Sequence, residues 1–90
     1  MSQKDQSSVA GRQIAAARAL LGMTQGALAE AASISVPTLK RMEASNGAAV
    51  GMANNVRAVQ SALEAAGVEF IPANGGGAGV RLRENAGSDG

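Results

Sequence analysis

The side chains that could do chemistry in this chain of 90 residues are few and of limited kinds. It contains no histidine and no cysteine, which excludes disulfides, thiol nucleophiles, histidine-based catalytic triads and the commoner zinc ligand sets. Serine, lysine and glutamate are present, but no arrangement of them pairs a nucleophile with its base. We therefore expect no enzymatic activity, no metal site and no cofactor.

The basic residues are more informative than the net charge, which is only +1. Between Val9 and Ser45 four basic residues stand against two acidic ones: Arg12, Arg18, Lys40 and Arg41 against Glu30 and Glu43. This excess of basic residues in one segment indicates a nucleic-acid partner, which the net charge alone does not. The single aromatic residue, Phe70, is too little for a platform that stacks the bases of single strands.

Four segments carry apolar residues three or four positions apart, the spacing of a helix with one buried face. They predict helices from Val9 to about Leu21, from Gln25 to Ala31 and from about Val36 to Ala44, and a last helix that is capped by Asn54 or Asn55 and runs to Ala66. Ala48 to Ala53 is expected to add a loose turn of helix. Residues 1–8 and 84–90 are polar and are expected to be disordered.

Polar residues stand where these helices would begin. Ser8 is the expected N-cap of the first helix and Thr24 of the second. Pro37 fits the third helix only in its first turn, where its missing N–H would have no intrahelical partner. The N-cap there is Ser35 or Val36, because a residue before proline avoids the helical conformation.

Beyond Gly67, which is expected to end the last helix, the apolar spacing changes from 3.6 residues to 2. Glu69 to Ile71 and Val80 to Arg83 read as two short extended segments, separated by a glycine-rich turn from Asn74 to Gly79. They predict a short C-terminal β-hairpin or β-strands. No apolar run approaches the ~20 residues that cross a membrane, and the amino terminus is polar, so we expect a soluble cytoplasmic protein.

The most informative spacing lies between Gln25 and Ala44. Two short helices can cross at roughly 90–120° only when the residues at the crossing are small and the other facing positions are apolar. Counted from Gln25, the fourth, fifth, eighth, tenth, fifteenth and eighteenth positions are those that such a crossing buries. They are occupied by Leu28, Ala29, Ala32, Ile34, Leu39 and Met42.

This pattern resembles the helix-turn-helix of the lambda-repressor-like (Cro/C1, XRE-type) DNA-binding family. The resemblance covers roughly Val9 to Leu63 and is carried by ARALLGMTQGALAEAASIS and VPTLKRMEASNG. Leu63 to Arg83 is similar to the LEAAGVEFI…GGG…GVRLR tail of many small bacterial members. The resemblance implies a mainly α domain of four to five helices over residues 9–67, followed by a β-strand dimerisation tail over residues 68–83.

The family usually has a left-handed glycine at the ninth place of the motif. This chain has Ser33 there, which should cost roughly 1 kcal/mol. Arg18 and Glu43 resemble an ion pair of the family that joins its first and third helices, and their implied role is to hold the third helix at its angle.

Once the inward positions are assigned, the outward side chains of the third helix are Ser35, Val36, Pro37, Thr38, Lys40 and Arg41. The resemblance implies that Val36, Pro37 and Arg41, with Lys40 beside them, meet base edges in the major groove. Arg41 has the planar fork that pairs with guanine O6 and N7. Gln25 resembles the phosphate-binding glutamine of the family; the other phosphate candidates are Thr24, Ser35, Thr38 and Asn46.

These residues predict a sequence-specific, dimeric transcriptional regulator that reads a near-palindromic operator, with repression as its expected effect. Its expected partners are double-stranded DNA and a second copy of the chain, and no small-molecule ligand is expected. The predicted dimer interface contains Phe70, Ile71, Val80 and Leu82, with help from Val59 or Leu63; otherwise the tail folds back on its own domain as a lid. The alternative is an antitoxin-like interaction module, in which the tail masks a partner protein and DNA binding is secondary.

Overall fold

The computed structural model describes residues 9–45, 53–73 and 75–83. They form four helices and one two-stranded antiparallel sheet: α1 (Gly11–Leu21), α2 (Gln25–Ala32), α3 (Val36–Glu43), α4 (Ala53–Ala65), β1 (Val68–Ile71) and β2 (Gly79–Leu82). The prediction of a mainly helical fold with a short hairpin is confirmed at this level. The ends predicted to be disordered, Asn46, and residues 48–52 of the predicted loose turn lie outside the described residues.

One hydrophobic core joins the helices to the hairpin. Every helix and β1 contribute buried apolar side chains, and those with no exposed surface include Ile14, Leu28, Leu39, Leu63 and Val68. Of the six positions predicted to face inward, five are buried and Ile34 is half-buried against the same core. Each fully buried aliphatic side chain of this size contributes about 1.5–3 kcal/mol, so this core fixes the relative positions of the helices.

The packing places α1 and α4 at the centre of the fold. Here α2 packs against α4, α1 packs against α3, and the hairpin packs against both α1 and α4. Within the described ranges, no helix has both the length and the apolar character needed to cross a bilayer.

The observed helix starts differ from the predicted ones at two places. The N-cap of α1 is Ala10, whose backbone N–H donates to Gln13 Oε1 at 2.7 Å; Ser8, the predicted cap, lies outside the described residues. At α3 the structure decides for Ser35, whose Oγ accepts the Thr38 backbone N–H at 3.2 Å. The last helix begins at Ala53, so Asn54 and Asn55 lie inside its first turn and the prediction that one of them is the N-cap was wrong.

The connection between α2 and α3 passes through Ser33, which has φ 60° and ψ 43°. In the described parts of the chain it is the only non-glycine residue with a positive φ. Its backbone N–H donates to the Glu30 carbonyl at 3.1 Å, which ties the left-handed turn to the end of α2. This is the conformation that the resemblance implies for Ser33.

The Ser33→Gly substitution should raise the free energy of unfolding by about 0.5–1 kcal/mol, because glycine reaches a positive φ without a Cβ clash. In a domain of this size that corresponds to an increase in Tm of about 3–6 °C, measurable by thermal unfolding. The matched control is Ser61→Gly, at an exposed position inside α4, which should lower Tm instead. A fall in Tm for Ser33→Gly would contradict the account of this turn.

The hairpin closes onto its own domain. Phe70 pairs with Val80 and Val68 with Leu82, so that these four side chains share one face of the sheet, on which Val68 is fully buried. At its open end, the Arg83 backbone N–H donates to the Gly67 carbonyl and Arg83 Nη2 donates to the Glu64 carbonyl, both at 2.7 Å. The Arg83 side chain thus satisfies a carbonyl in the last turn of α4, and its backbone joins the end of β2 to the residue before β1.

A buried glutamine holds the other end of the hairpin. Gln13 Nε2 donates to the carbonyl oxygens of Ile71 at 3.3 Å and Gly79 at 3.0 Å. Since its Oε1 accepts from Ala10, the buried amide uses both its donor and its acceptor groups. Gln13 therefore fastens the turn end of the hairpin to the first turn of α1.

Gly11 lies where α1 approaches the carboxyl end of α3. A Cβ atom on Gly11 would overlap the carbonyl oxygen of Met42 and would lie 2.9 Å from that of Ser45. Backbone oxygens cannot turn away as a flexible side chain can, so the close approach of these two helices requires a residue without a Cβ.

Candidate nucleic-acid interface

One side of α3 presents two basic residues and a proline to solvent. Pro37, Lys40 and Arg41 are exposed, whereas Leu39 and Met42 are fully buried. Residues three and four positions apart lie on the same face of a helix, so the exposed residues form one surface, which we call the α3 outer face. It combines a rigid pyrrolidine ring, an ammonium and a guanidinium on a helix held from behind by the core.

The beginning of α3 is less exposed than the sequence predicts. Val36, expected to point outward, is half-buried and packs against the hydrophobic core. Ser35 is exposed, and its Oγ donates to Thr38 Oγ1 at 2.8 Å. Ser35 and Thr38 thus form a linked pair of hydroxyl groups at the amino end of α3.

The start of α2 carries the other two phosphate candidates. Thr24 is exposed, and its Oγ1 accepts the Ala27 backbone N–H at 3.0 Å. Gln25 is half-buried, and its Nε2 donates to Glu43 Oε1 at 3.0 Å. The first N–H groups of a helix have no intrahelical acceptor, which makes this end suitable for an anion.

A salt bridge between Arg18 and Glu43 joins α1 to α3. Arg18 Nε donates to Glu43 Oε2 at 2.8 Å and Arg18 Nη2 donates to Glu43 Oε1 at 3.0 Å, in a bidentate arrangement. The side chains are 23% and 7% exposed, respectively. The hydrogen bond to Glu43 raises the pKa of Arg18 above its ordinary value, although desolvation opposes the shift. Because Arg18 Nη1 also donates to the Met23 carbonyl at 3.0 Å, this guanidinium fixes α3 against both α1 and the turn before α2.

The described residues of this surface offer hydrogen-bond donors and positive charge. They suit an anionic partner rich in acceptor atoms. Across the described ranges, no group of three or more histidine, cysteine, aspartate or glutamate residues could hold a metal ion. Asn46, the remaining phosphate candidate, lies outside the described residues.

The residues predicted for the dimer interface differ in exposure. Leu82 is 52% exposed and, with Leu20 at 45%, is one of two exposed large apolar side chains in the described parts of the chain. Phe70 and Val80 are half-buried against the core, and Ile71 is half-buried. The expected help from Val59 or Leu63 was wrong, because both side chains are fully buried within their own chain.

Sequence reasoning missed the hydrogen bond from Gln25 to Glu43 and the role of Gln13. The available signal for Gln13 was that it is a polar residue next to Ile14 on a mostly apolar segment. Its acceptors, however, lie 58 and 66 residues away, and no local pattern indicates them. The pairing of Gln25 with Glu43 likewise depends on how α2 and α3 cross.

Comparison with known proteins finds no family model that matches this chain and no relative among curated proteins. A proposal about function therefore depends on the geometry of the α3 outer face and on the residues that hold α3 in place.

Proposed function

We propose that the protein is a sequence-specific, dimeric DNA-binding regulator of transcription that acts as a repressor. In this proposal α2 and α3 form a helix-turn-helix, and α3 lies in the major groove of double-stranded DNA. The observation that carries it is the α3 outer face, where two cations stand on the exposed side of a helix whose opposite side is fully buried. A bound dimer blocks access to the DNA that it covers, which is why repression is proposed.

Each exposed residue has a role that follows from its chemistry. Arg41 provides the bidentate donor pair for guanine O6 and N7, and Lys40 adds a second cation beside it. Pro37 and the accessible part of Val36 provide apolar contact with a thymine methyl group. Hydrogen bonds to phosphates come from the starts of α2 and α3, through Thr24, Gln25, Ser35 and Thr38.

The Arg18–Glu43 salt bridge supports this assignment. Base readout requires side chains to be held in a defined geometry on a rigid element. The bidentate salt bridge, the buried Leu39 and the buried Met42 together fix the rotation of α3 about its own axis. Neither member of the salt bridge belongs to the α3 outer face, so we give the pair an orienting role.

The proposal includes a homodimer, because two cations on α3 give only modest affinity for DNA. Leu82 and the half-buried Ile71, Phe70 and Val80 are the proposed contacts, since Leu82 leaves a large apolar side chain in water. Hairpins of two chains that pair across a two-fold axis would form a sheet of four strands. Deleting the hairpin would not test this idea, because Val68 is part of the hydrophobic core.

Selection of bound sequences from a pool of random duplex DNA tests the function and the symmetry together. The wild-type protein should enrich a near-palindromic site whose half-sites are about 10 base pairs apart. The Arg41→Ala variant should lose the preference at one base pair in each half-site and bind the wild-type site with a free energy of binding weakened by about 1–3 kcal/mol for each half-site.

The Arg41→Lys variant is the matched control, because it keeps the positive charge and loses the planar guanidinium with its paired N–H donors. It should bind random DNA as the wild-type protein does while losing the same base preference. Enrichment of no sequence by the wild-type protein would refute the proposed readout, and enrichment of a single half-site without symmetry would refute the dimer.

A further inference from the structure

Glu43 accepts hydrogen bonds from two different helices. Its Oε1 lies 3.0 Å from Arg18 Nη2 and 3.0 Å from Gln25 Nε2, while its Oε2 lies 2.8 Å from Arg18 Nε. Three elements therefore meet at one carboxylate: α1 through Arg18, the first residue of α2 through Gln25, and the last residue of α3 through Glu43 itself. The side chain of Glu43 is only 7% exposed, so this junction is largely shielded from water.

The hydrogen bond restricts the Gln25 amide. A glutamine at the start of an exposed helix samples several rotamers, and ordering such a side chain when a partner binds costs free energy. In this structure one N–H of Gln25 is already held by Glu43. The second side-chain N–H has no acceptor among the described residues, so it is available to an acceptor on a binding partner. The amide is thus oriented before any partner arrives.

The charge on Glu43 does not prevent an anion from binding nearby. The bidentate contact with Arg18 compensates the carboxylate, so the junction carries no net charge. A phosphate that approaches the start of α2 therefore meets the Gln25 amide and the backbone N–H groups of Gln25 and Gly26, beside a carboxylate that is already paired.

We infer that Glu43 is a positioning residue for phosphate binding by Gln25, in addition to its salt bridge with Arg18. This inference rests on the proposed DNA-binding function. Glu43, which lies outside the α3 outer face, then influences the affinity for DNA through the side-chain amide of Gln25 on α2. The same carboxylate therefore supports two things: the contact with the DNA backbone at the start of α2 and the orientation of α3.

A double-mutant cycle with Gln25→Ala and Glu43→Gln tests the inference, with binding measured on a mixed-sequence DNA duplex at fixed salt. Gln25→Ala should weaken binding about tenfold to a hundredfold, the loss of one hydrogen bond to a charged group. Glu43→Gln removes a negative charge from a protein that binds a polyanion, so electrostatics alone would strengthen binding. The positioning role predicts the opposite sign, a weakening of about threefold, as the amide of the new side chain cannot accept all three bonds.

In the Gln25→Ala background the Glu43→Gln change should no longer weaken binding. An equal weakening in both backgrounds would overturn the inference, because Glu43 would then act only through Arg18 and α3. Stronger or unchanged binding in both backgrounds would overturn it as well. Failure of the wild-type protein to bind the duplex would instead refute the proposed function itself. Circular dichroism at the assay temperature confirms that each variant is folded.

The wild-type protein supplies a second test that does not depend on the folding of any variant. In NMR spectra of the free protein, one side-chain N–H proton of Gln25 should be shifted downfield and the two protons should be clearly separated, because one donates to a carboxylate. On addition of the duplex, the resonance of the second proton should move. Side-chain resonances typical of a freely rotating glutamine in the free protein would overturn the inference.

Discussion

Gly11→Ala is expected to lower the free energy of unfolding by about 3 kcal/mol or more, the upper range for an overpacked site. The added methyl group would overlap the carbonyl oxygen of Met42, and the carbonyls of Glu43 and Ser45 are also close. Relief requires α1 to move away from α3, which would disturb the buried contacts of both helices. Because small domains have a total stability of about 5–15 kcal/mol, we expect a large fall in Tm by calorimetry or circular dichroism.

Gly26→Ala is the matched control. Gly26 lies in the first turn of α2, and a Cβ there would meet only Thr24 Oγ1 at 3.9 Å. Alanine is favoured over glycine inside a helix by about 1 kcal/mol, so this variant should be as stable as the wild-type protein or more stable. Equal destabilisation by the two substitutions would show that the close approach of Gly11 to α3 is not the cause of the loss of stability in Gly11→Ala.

Glu43→Ala is expected to lower the free energy of unfolding by about 2–3 kcal/mol, measured by urea unfolding. The substitution leaves the Arg18 guanidinium, which is 23% exposed, without its carboxylate, and it also removes the acceptor of Gln25. The value lies below that for a fully buried pair because water still reaches part of Arg18.

Glu69→Ala provides the comparison, because Glu69 and Arg81 form a salt bridge of similar geometry on the exposed surface of the hairpin. These side chains are 47% and 64% exposed, so solvent screens the pair and its loss should change stability little. The hydrogen bond from Arg81 lowers the pKa of Glu69. The small stabilisation that this salt bridge contributes is therefore present at neutral pH and is lost as the pH falls through the lowered pKa of Glu69. Similar losses for the two alanine variants would show that burial does not strengthen the Arg18–Glu43 pair.

The helices and the hairpin could be predicted because their signals are local. Leu28, Leu39 and Met42 recur at the helical period, and all three are fully buried. The left-handed conformation of Ser33 was implied by the resemblance to the helix-turn-helix family, which usually has a left-handed glycine at this place. Cap positions were less certain, since α1 uses Gln13 from its own first turn and needs no polar residue at the N-cap.

The contacts that give the site its geometry could not be predicted from local patterns. The requirement for a glycine at position 11 comes from carbonyl groups more than 30 residues later in the chain. Likewise, Gln25 and Glu43 are 18 residues apart and meet only after α2 and α3 have crossed. Val36 was expected to point outward, but the first turn of α3 lies close enough to the core to cover part of it.

The hydrogen bonds of Gln13 also have a consequence for synthesis of the chain. Its partners, Ile71 and Gly79, are added 58 and 66 residues after it. While they are still inside the ribosome, the nascent helices leave the Gln13 amide and the core surface that receives Val68 in contact with water. Closing so long a loop costs entropy that only the complete set of hairpin contacts offsets. We therefore expect the emerging protein to stay open to proteases and chaperones until its hairpin leaves the exit tunnel, and to become resistant after release.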